Sequence, residues 1–391
     1  MPLFETSEYL ARIKKTKDRM GDTEIEVLVV ADPANMNYLT GYDGWSFYVP
    51  QVVVVSLKDK EPLWIGREMD AAGARHTTFL EEENIIGYPD YYVQTTERHP
   101  MDFVADIIKQ REWGQKRIGT ELDAYYFSAR GYESLKKDLP DATFVDGNLL
   151  VSWVRLIKSY QEIEYMRQAG KIVEKVMQTA IDTVAPGVRE CDAVAEIVRA
   201  QIKGTDTFGG DYTAIVPLMP TGEKTSTPHL TWTDEPYENE VAVNLELAAC
   251  RNRYHSPMAR TMYLGKNPPP KLEDTATIVV DGLNLTLDAI KPGLLCEDVE
   301  LVWRRHIAKH GLKKESRIGY AMGLNYPPDW GEHTASLRPG DKTVLEPNMT
   351  FHMILGMWMD NWGFECSEAF RVTETGYETF ANFPRKLFVK D

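Results

Sequence analysis

Apolar residues recur at helical spacing over residues 5–20, where Tyr9, Leu10, Ile13 and Met20 stand among charges, and they predict an opening helix. Two β-rich runs follow, Val27-Leu28-Val29-Val30 and Val52-Val53-Val54-Val55, with turn signals at Asp32-Pro33 and Gly41 between them. Shorter strands are expected at Leu63-Trp64-Ile65, Ile85-Ile86 and Arg117-Ile118-Gly119, and helices near 100–111 and 127–137. This alternation describes an α/β domain over residues 1–152. A second domain, residues 153–391, opens with a long amphipathic helix from Ser159 to Val184. Its face carries Ile163, Met166, Ala169, Ile172, Val173 and Val176, and Ala185-Pro186-Gly187 ends it.

One pattern then repeats. Ile181-Asp182-Thr183-Val184-Ala185-Pro186-Gly187 returns about a hundred residues later as Leu287-Asp288-Ala289-Ile290-Lys291-Pro292-Gly293, each copy followed by a Cys and a fresh amphipathic helix. That spacing is too long for a solenoid and fits one domain built from two similar halves. Strands are expected at Val241–Leu247, Arg260–Leu264, Met349–Ile354 and Phe370–Thr373. The expectation is a duplicated α+β domain that closes a curved sheet around a central site.

Composition narrows the function. The 391 residues are 43% apolar and 26% charged, which excludes wholesale disorder. A net charge of −15 argues against nucleic-acid or anionic-membrane binding, since phosphate recognition needs clustered Lys and Arg. Cys191, Cys250, Cys296 and Cys366 are widely spaced without a CxxC pair and read as thiols of a reduced compartment. The first twenty residues lack the apolar core of a signal peptide, and the apolar stretch Tyr48–Leu57 is far short of the ~20 residues of a membrane helix. A cytoplasmic protein is expected.

Glu246 stands out among the carboxylates. Its setting, VAVNLELAAC, alternates like a strand and is apolar on both sides. Either the side chain faces solvent on a half-exposed strand, or it is buried and must be satisfied by a cation or several donors. His306 and His310, spaced i,i+4 in WRRHIAKH, lack the Glu of a metal-binding H-E-x-x-H and read as a solvated helix face. Nothing singles out His255, His333 or His352.

RLIKSYQEIEYMRQAGKI, TPHL, NLELAACRNRYHSPMART, GYAMGLNYPPDWGE, PNMTFHM and SEAFRVTETG occur in the order found in the creatinase, prolidase and methionine-aminopeptidase family, which this chain resembles over nearly its whole length. The resemblance implies an α+β fold: a creatinase-like N-terminal α/β domain followed by a pseudo-twofold "pita-bread" catalytic domain. Metal-dependent members hold two cations with two Asp, one His and two Glu. In this sequence Pro257 falls at the second Asp, Glu246 at the first, Tyr320 at the His and Ile354 at the first Glu. The second Glu falls at Glu368, or at Ser367 if the alignment slips by one. Proline and isoleucine side chains offer a cation no donor. The departures therefore imply a metal-free member without cofactor, as creatinase is.

By the same resemblance His229, in TPHL, handles protons. Glu246 engages an electrophilic carbon, and Glu368 assists the hydrolytic water. The resemblance further implies a homodimer in which the partner's N-terminal domain completes each site. Trp45 and Arg67 thereby become substrate-binding candidates, with Tyr320 and Trp330 as walls. Aromatic faces suit a cation and Arg67 suits a carboxylate, so the expected ligand is a small zwitterion. Within the family, GYDGWSFYVPQ, NLELAAC and GYAMGLNYPPDWGE point to hydrolysis of a cyclic amidine. A creatine amidinohydrolase-like enzyme, an X-Pro peptidase and a catalytically inactive binding module remain as alternatives.

Overall fold

The computed structural model describes residues 2–391 and divides into two compact units, one ending at Arg155 and one running from Leu156 to Asp391. The first contains strands Val27–Val30 (β1), Val52–Ser56 (β2), Leu63–Arg67 (β3), Ile85–Tyr88 (β4), Arg117–Thr120 (β5) and Thr143–Asp146 (β6). They form one six-stranded mixed sheet in the order β4-β3-β2-β1-β5-β6. Strands β1 and β2 are buried along their full length, as expected for Val runs covered on both faces. Helices Thr6–Asp22 (α1), Pro33–Thr40 (α2), Glu68–Thr77 (α3), Pro100–Gln110 (α4), Ala129–Asp138 (α5) and Leu150–Arg155 (α6) complete the unit. Met101, Val104, Ala105 and Ile108 of α4 pack against Val27, Val29, Val52 and Ile65 of the sheet in one apolar core.

The second unit shows the duplication. Helices Tyr160–Thr183 (α7) and Glu190–Lys203 (α8) precede strands Val241–Arg251 (β7) and Tyr254–Leu264 (β8). Helices Pro270–Asp288 (α9) and Cys296–Ala308 (α10) precede Gly319–Met322 (β9), Gly331–Leu337 (β10), Thr350–Trp358 (β11) and Gly363–Val372 (β12), and short strands Tyr377–Thr379 (β13) and Phe388–Lys390 (β14) close the chain. The two Pro-Gly sites are structurally equivalent. Gly187 and Gly293 take φ of +82° and +88°, a left-handed geometry that glycine adopts without strain. Two residues later Arg189 bridges Pro236 and Leu295 bridges Val344, and in both halves the next helix starts at once.

Helix α7 starts on a capping box. Ser159 Oγ accepts from the Glu162 N–H, and the Glu162 carboxylate accepts from the Ser159 N–H at 2.8 Å. Its apolar face, with Ile172, Val173, Val176 and Met177, packs on Val243, Leu245, Leu247, Met258 and Met262 of the β7–β8 hairpin. Strand alternation therefore turns Asn244, Glu246, Ala248, His255, Pro257, Ala259 and Thr261 to the opposite face. Thr261 Oγ1 accepts from the Glu365 N–H at 2.8 Å, and Ser367 Oγ accepts from the Ala259 N–H at 2.7 Å, which joins β8 to β12. Pro257 is tolerated in mid-strand because β14 pairs with β8 only at Met262–Leu264. His306 departs from the expected solvated face: its Nε2 lies 2.9 Å from the Ile278 carbonyl of α9.

Candidate active site

Glu246 settles the choice left open by its sequence. It lies on the non-helical face of β7 with 5% of its surface exposed. Burial raises its carboxyl pKa well above the usual range, and the charges of Glu365 and Asp329 add to the effect. Glu365, 1% exposed on β12, is raised by burial too, with Lys314 as the opposing cation. Among the described residues Glu365 Oε1 has no hydrogen-bond partner. Asp329 differs. Burial pushes it up, but hydrogen bonds from His333 at 2.7 Å and from the Gly331 N–H at 2.9 Å outweigh that and hold it low.

An aromatic and imidazole chain walls this face. Trp330, fully buried, donates its indole N–H to the Tyr320 hydroxyl at 2.8 Å. That hydroxyl lies 3.0 Å from His352 Nδ1, and His352 Nε2 lies 2.8 Å from Ser367 Oγ. Burial and the nearby Arg317 guanidinium push the His352 ring down to about 3, so the imidazole is neutral. Burial raises the Tyr320 phenol well above its ordinary value, with the Glu246 charge behind it, so it stays protonated. His255 is pushed by burial to about 4, and its Nε2 accepts the Ala214 N–H at 2.9 Å. Arg317 stacks on the Tyr320 ring with its guanidinium carbon 4.4 Å from the centroid. Its charge also acts on His352 and Asp329.

These histidines carry a stability prediction. Their folded pKa values lie below the ordinary ~6.5, so between about pH 6.5 and those values the unfolded chain binds more protons. The stability they contribute is complete above pH 6.5 and is lost as pH falls toward 3 to 4. Urea titrations from pH 7 to pH 4 should show the falling midpoint, and His352→Gln should remove about one proton from its slope.

The expected residues fall into distinct places. Glu246, Tyr320 and Trp330 are brought together. His229 is exposed, in a loop whose next residue, Leu230, accepts from the Met219 N–H at 3.1 Å; adjoining Leu218 ladders with Glu246 in both directions. Trp45 is 58% exposed in the first unit and lies tilted against Phe47, with ring centroids 4.8 Å apart. Arg67 is already paired with Asp90, its Nε donating at 2.7 Å.

Glu368 requires a correction. Alternation along β12 places Ser367 and Glu365 on the inner face and Glu368 on the other. There Glu368 Oε1 accepts from Arg260 Nη2 at 2.6 Å and from Arg385 Nε at 3.0 Å, a buried ion pair that binds strand to strand. The role expected for a carboxyl on this strand therefore cannot fall to Glu368. Ser367, the other residue that the resemblance allows at this position, stands directly opposite Ile354 in the ladder.

The residues that the resemblance sets at the metal-ligand positions offer few donors. Glu246, Pro257, Tyr320, Ile354 and Ser367 supply one carboxyl, one high-pKa phenol and one hydroxyl. That set does not fit a dinuclear centre, and among the described residues no group of three or more His, Cys, Asp or Glu side chains is arranged to hold a metal.

Sequence comparison agrees with this architecture. Residues 12–157 match the creatinase/prolidase N-terminal domain, and residues 164–374 match metallopeptidase family M24. The chain is 46% identical over 394 aligned positions to the ectoine hydrolase of Halomonas elongata, covering 99% of this chain and 98% of that one. The chain belongs to the creatinase/prolidase family. An uncharacterised hydrolase/peptidase of Sinorhizobium fredii is also 46% identical, with 99% of each chain covered. Among solved structures, a recombinant prolidase from Thermococcus sibiricus superposes with a TM-score of 0.85 at 20% identity, covering 98% of this chain and all of that one. The creatinase/prolidase fold is thus kept in this hydrolase.

Proposed function

We propose that this hydrolase opens the cyclic amidine ring of ectoine to N-acetyl-2,4-diaminobutyrate without a metal ion. The observation that carries the reading is the pair of buried carboxyls, Glu246 and Glu365, beside Asp329 and under the Tyr320–Trp330 wall. Burying acidic groups together is unfavourable unless a cation joins them. An amidinium is such a cation, and its arrival draws the carboxyls back to their ionised state. The name of the Halomonas elongata relative supports the same substrate.

In this reading Glu246 attacks the amidinium carbon, or orients the water that does, and His229 donates a proton to the departing ring nitrogen. Trp330 and Tyr320 wall the cation. In the proposed homodimer Trp45 and Arg67 of the partner's N-terminal domain close the site, with Arg67 exchanging Asp90 for the substrate carboxylate. The four free cysteines, three of them buried, support a reduced compartment such as the cytoplasm.

The deciding experiment incubates purified protein with ectoine, hydroxyectoine and creatine and follows products by NMR. Ectoine is expected to disappear into an N-acetylated diamino acid. An inert ectoine sample overturns the reading. Turnover is also expected to survive exhaustive chelation unchanged, with elemental analysis finding no stoichiometric metal; activity restored only by added divalent ions overturns the metal-free part.

A further inference from the structure

We propose that Glu365 is a second catalytic carboxyl, the base for the hydrolytic water, and that Lys314 is the positioning residue that sets its charge. This rests on the amidine-hydrolase reading above.

The placement comes from the ladder. Glu365 sits directly opposite Gly356 on β11 and shares the inner face of β12 with Ser367. Its backbone N–H is bound to Thr261 Oγ1, which also donates to Asn244 Oδ1, two residues along β7 from Glu246. Thr261 of β8 therefore links the Glu246 face of β7 to the Glu365 face of β12, and the charges of the two carboxyls act on one another. Glu365 Oε1, on a side chain 99% buried, has no hydrogen-bond partner among the described residues. A buried carboxyl oxygen without a donor is costly as a purely structural element, whereas aimed at a reacting water it has a use.

Lys314 stands behind it. Its Nζ donates to the Gly356 carbonyl at 2.8 Å and lies 4.1 Å from the centroid of the Trp358 ring. Trp358 in turn lies across Gly356, where an added Cβ would come to 2.3 Å from the ring. The ammonium is thus fixed by an aromatic face and by the carbonyl of the residue that pairs with Glu365 in the ladder, and the Glu365 charge acts on it. The charged groups acting on Glu365 are Lys314 from the segment after α10 and Glu246 from β7; the Cys366 thiol next to it is raised by burial.

The step balances. Water oxygen bonds to the amidine carbon as Glu365 takes one of its protons. The ring carbon–nitrogen bond breaks with its electron pair on nitrogen, which takes a proton from His229; His229 regains one from the new hydroxyl as the amide carbonyl forms. The released amine then takes the proton held by Glu365 and leaves as ammonium. Amidinium and water have become amide and ammonium, and both protein groups have returned to their starting states.

The test compares wild type, Glu365→Gln and Lys314→Met with ectoine across pH, with thermal melting to check the fold. Glu365→Gln should lower kcat by ~10²–10⁴-fold with a smaller change in KM. Lys314→Met removes a cation that favours the ionised carboxyl, so the acid limb of its kcat profile should move to higher pH. Glu365→Gln within threefold of wild type, or an acid limb unmoved in a folded Lys314→Met, overturns the proposal. If Glu365→Gln does not fold, the Lys314→Met profile decides alone. If wild type leaves ectoine untouched, the substrate reading fails by itself. The carboxyl is then followed by infrared titration of the protonated C=O band, which should move to higher pH in Lys314→Met; an unmoved band overturns the charge-setting role and the proposal with it.

Discussion

Glu246→Gln is expected to lower ectoine turnover by about 10³-fold or more while the melting temperature holds or rises. The amide matches the carboxyl in shape, so the packing of β7 is untouched. It cannot carry the negative charge that an amidinium carbon would meet, nor act as nucleophile or base. The stability side follows from the same environment. Glu246 is almost fully buried, and the charges of Glu365 and Asp329 act on it, so its ionised form is disfavoured. A neutral amide relieves that repulsion. Because the raised carboxyl favours its protonated form in the fold, its unfavourable contribution grows as pH rises above the unfolded value of about 4.3, and relief in the variant should be larger at pH 8 than at pH 5. Product-resolved kinetics and paired melts check both halves. Turnover within tenfold of wild type would remove Glu246 from the chemistry.

Glu368→Ala is expected to do the reverse: it should destabilise the second unit by about 3–5 kcal/mol and leave kcat per folded molecule nearly unchanged. Arg260 is fully buried, and four of its five hydrogen bonds run to carbonyl oxygens of Ala259, Ser367, Phe383 and Pro384. Glu368 supplies its countercharge and also holds Arg385. Removing the carboxylate leaves a buried guanidinium uncompensated. Replacing both partners by apolar residues, Arg260→Met with Glu368→Leu, should recover much of the loss, since neither charge is then stranded. Urea unfolding and single-turnover activity on the folded fraction separate the two effects. A kcat loss without a stability loss would return Glu368 to the catalytic set.

The β7–β8 hairpin shows how far pattern alone reaches. VAVNLEL alternates strongly and is legible as a strand, but the observed β8 begins at Tyr254, well before the expected Arg260. The segment Tyr254–Ala259 contains His255, Ser256 and Pro257, residues whose local preferences oppose a strand; burial and pairing with β7 override them. Likewise β12 starts at Gly363, although only its end, Phe370–Val372, reads as a strand. Its polar residues Glu365, Ser367 and Glu368 lack an apolar alternation because both faces are buried and each finds a polar partner or the site.

The sequence by itself determined the two-unit layout, the duplicated Pro-Gly turns and the absence of donors at Pro257 and Ile354, since these follow from local periodicity, backbone geometry and side-chain chemistry. It also marked Glu246 as unusual. Tertiary structure alone decided which carboxyl of β12 faces the site, because a one-residue change of register exchanges the faces and only pairing with β8 and β11 fixes it. It decided as well that His352, Ser367, Tyr320 and Trp330 form one chain and that Lys314 stands behind Glu365. Those contacts join segments far apart in the chain, and no periodicity along it records them.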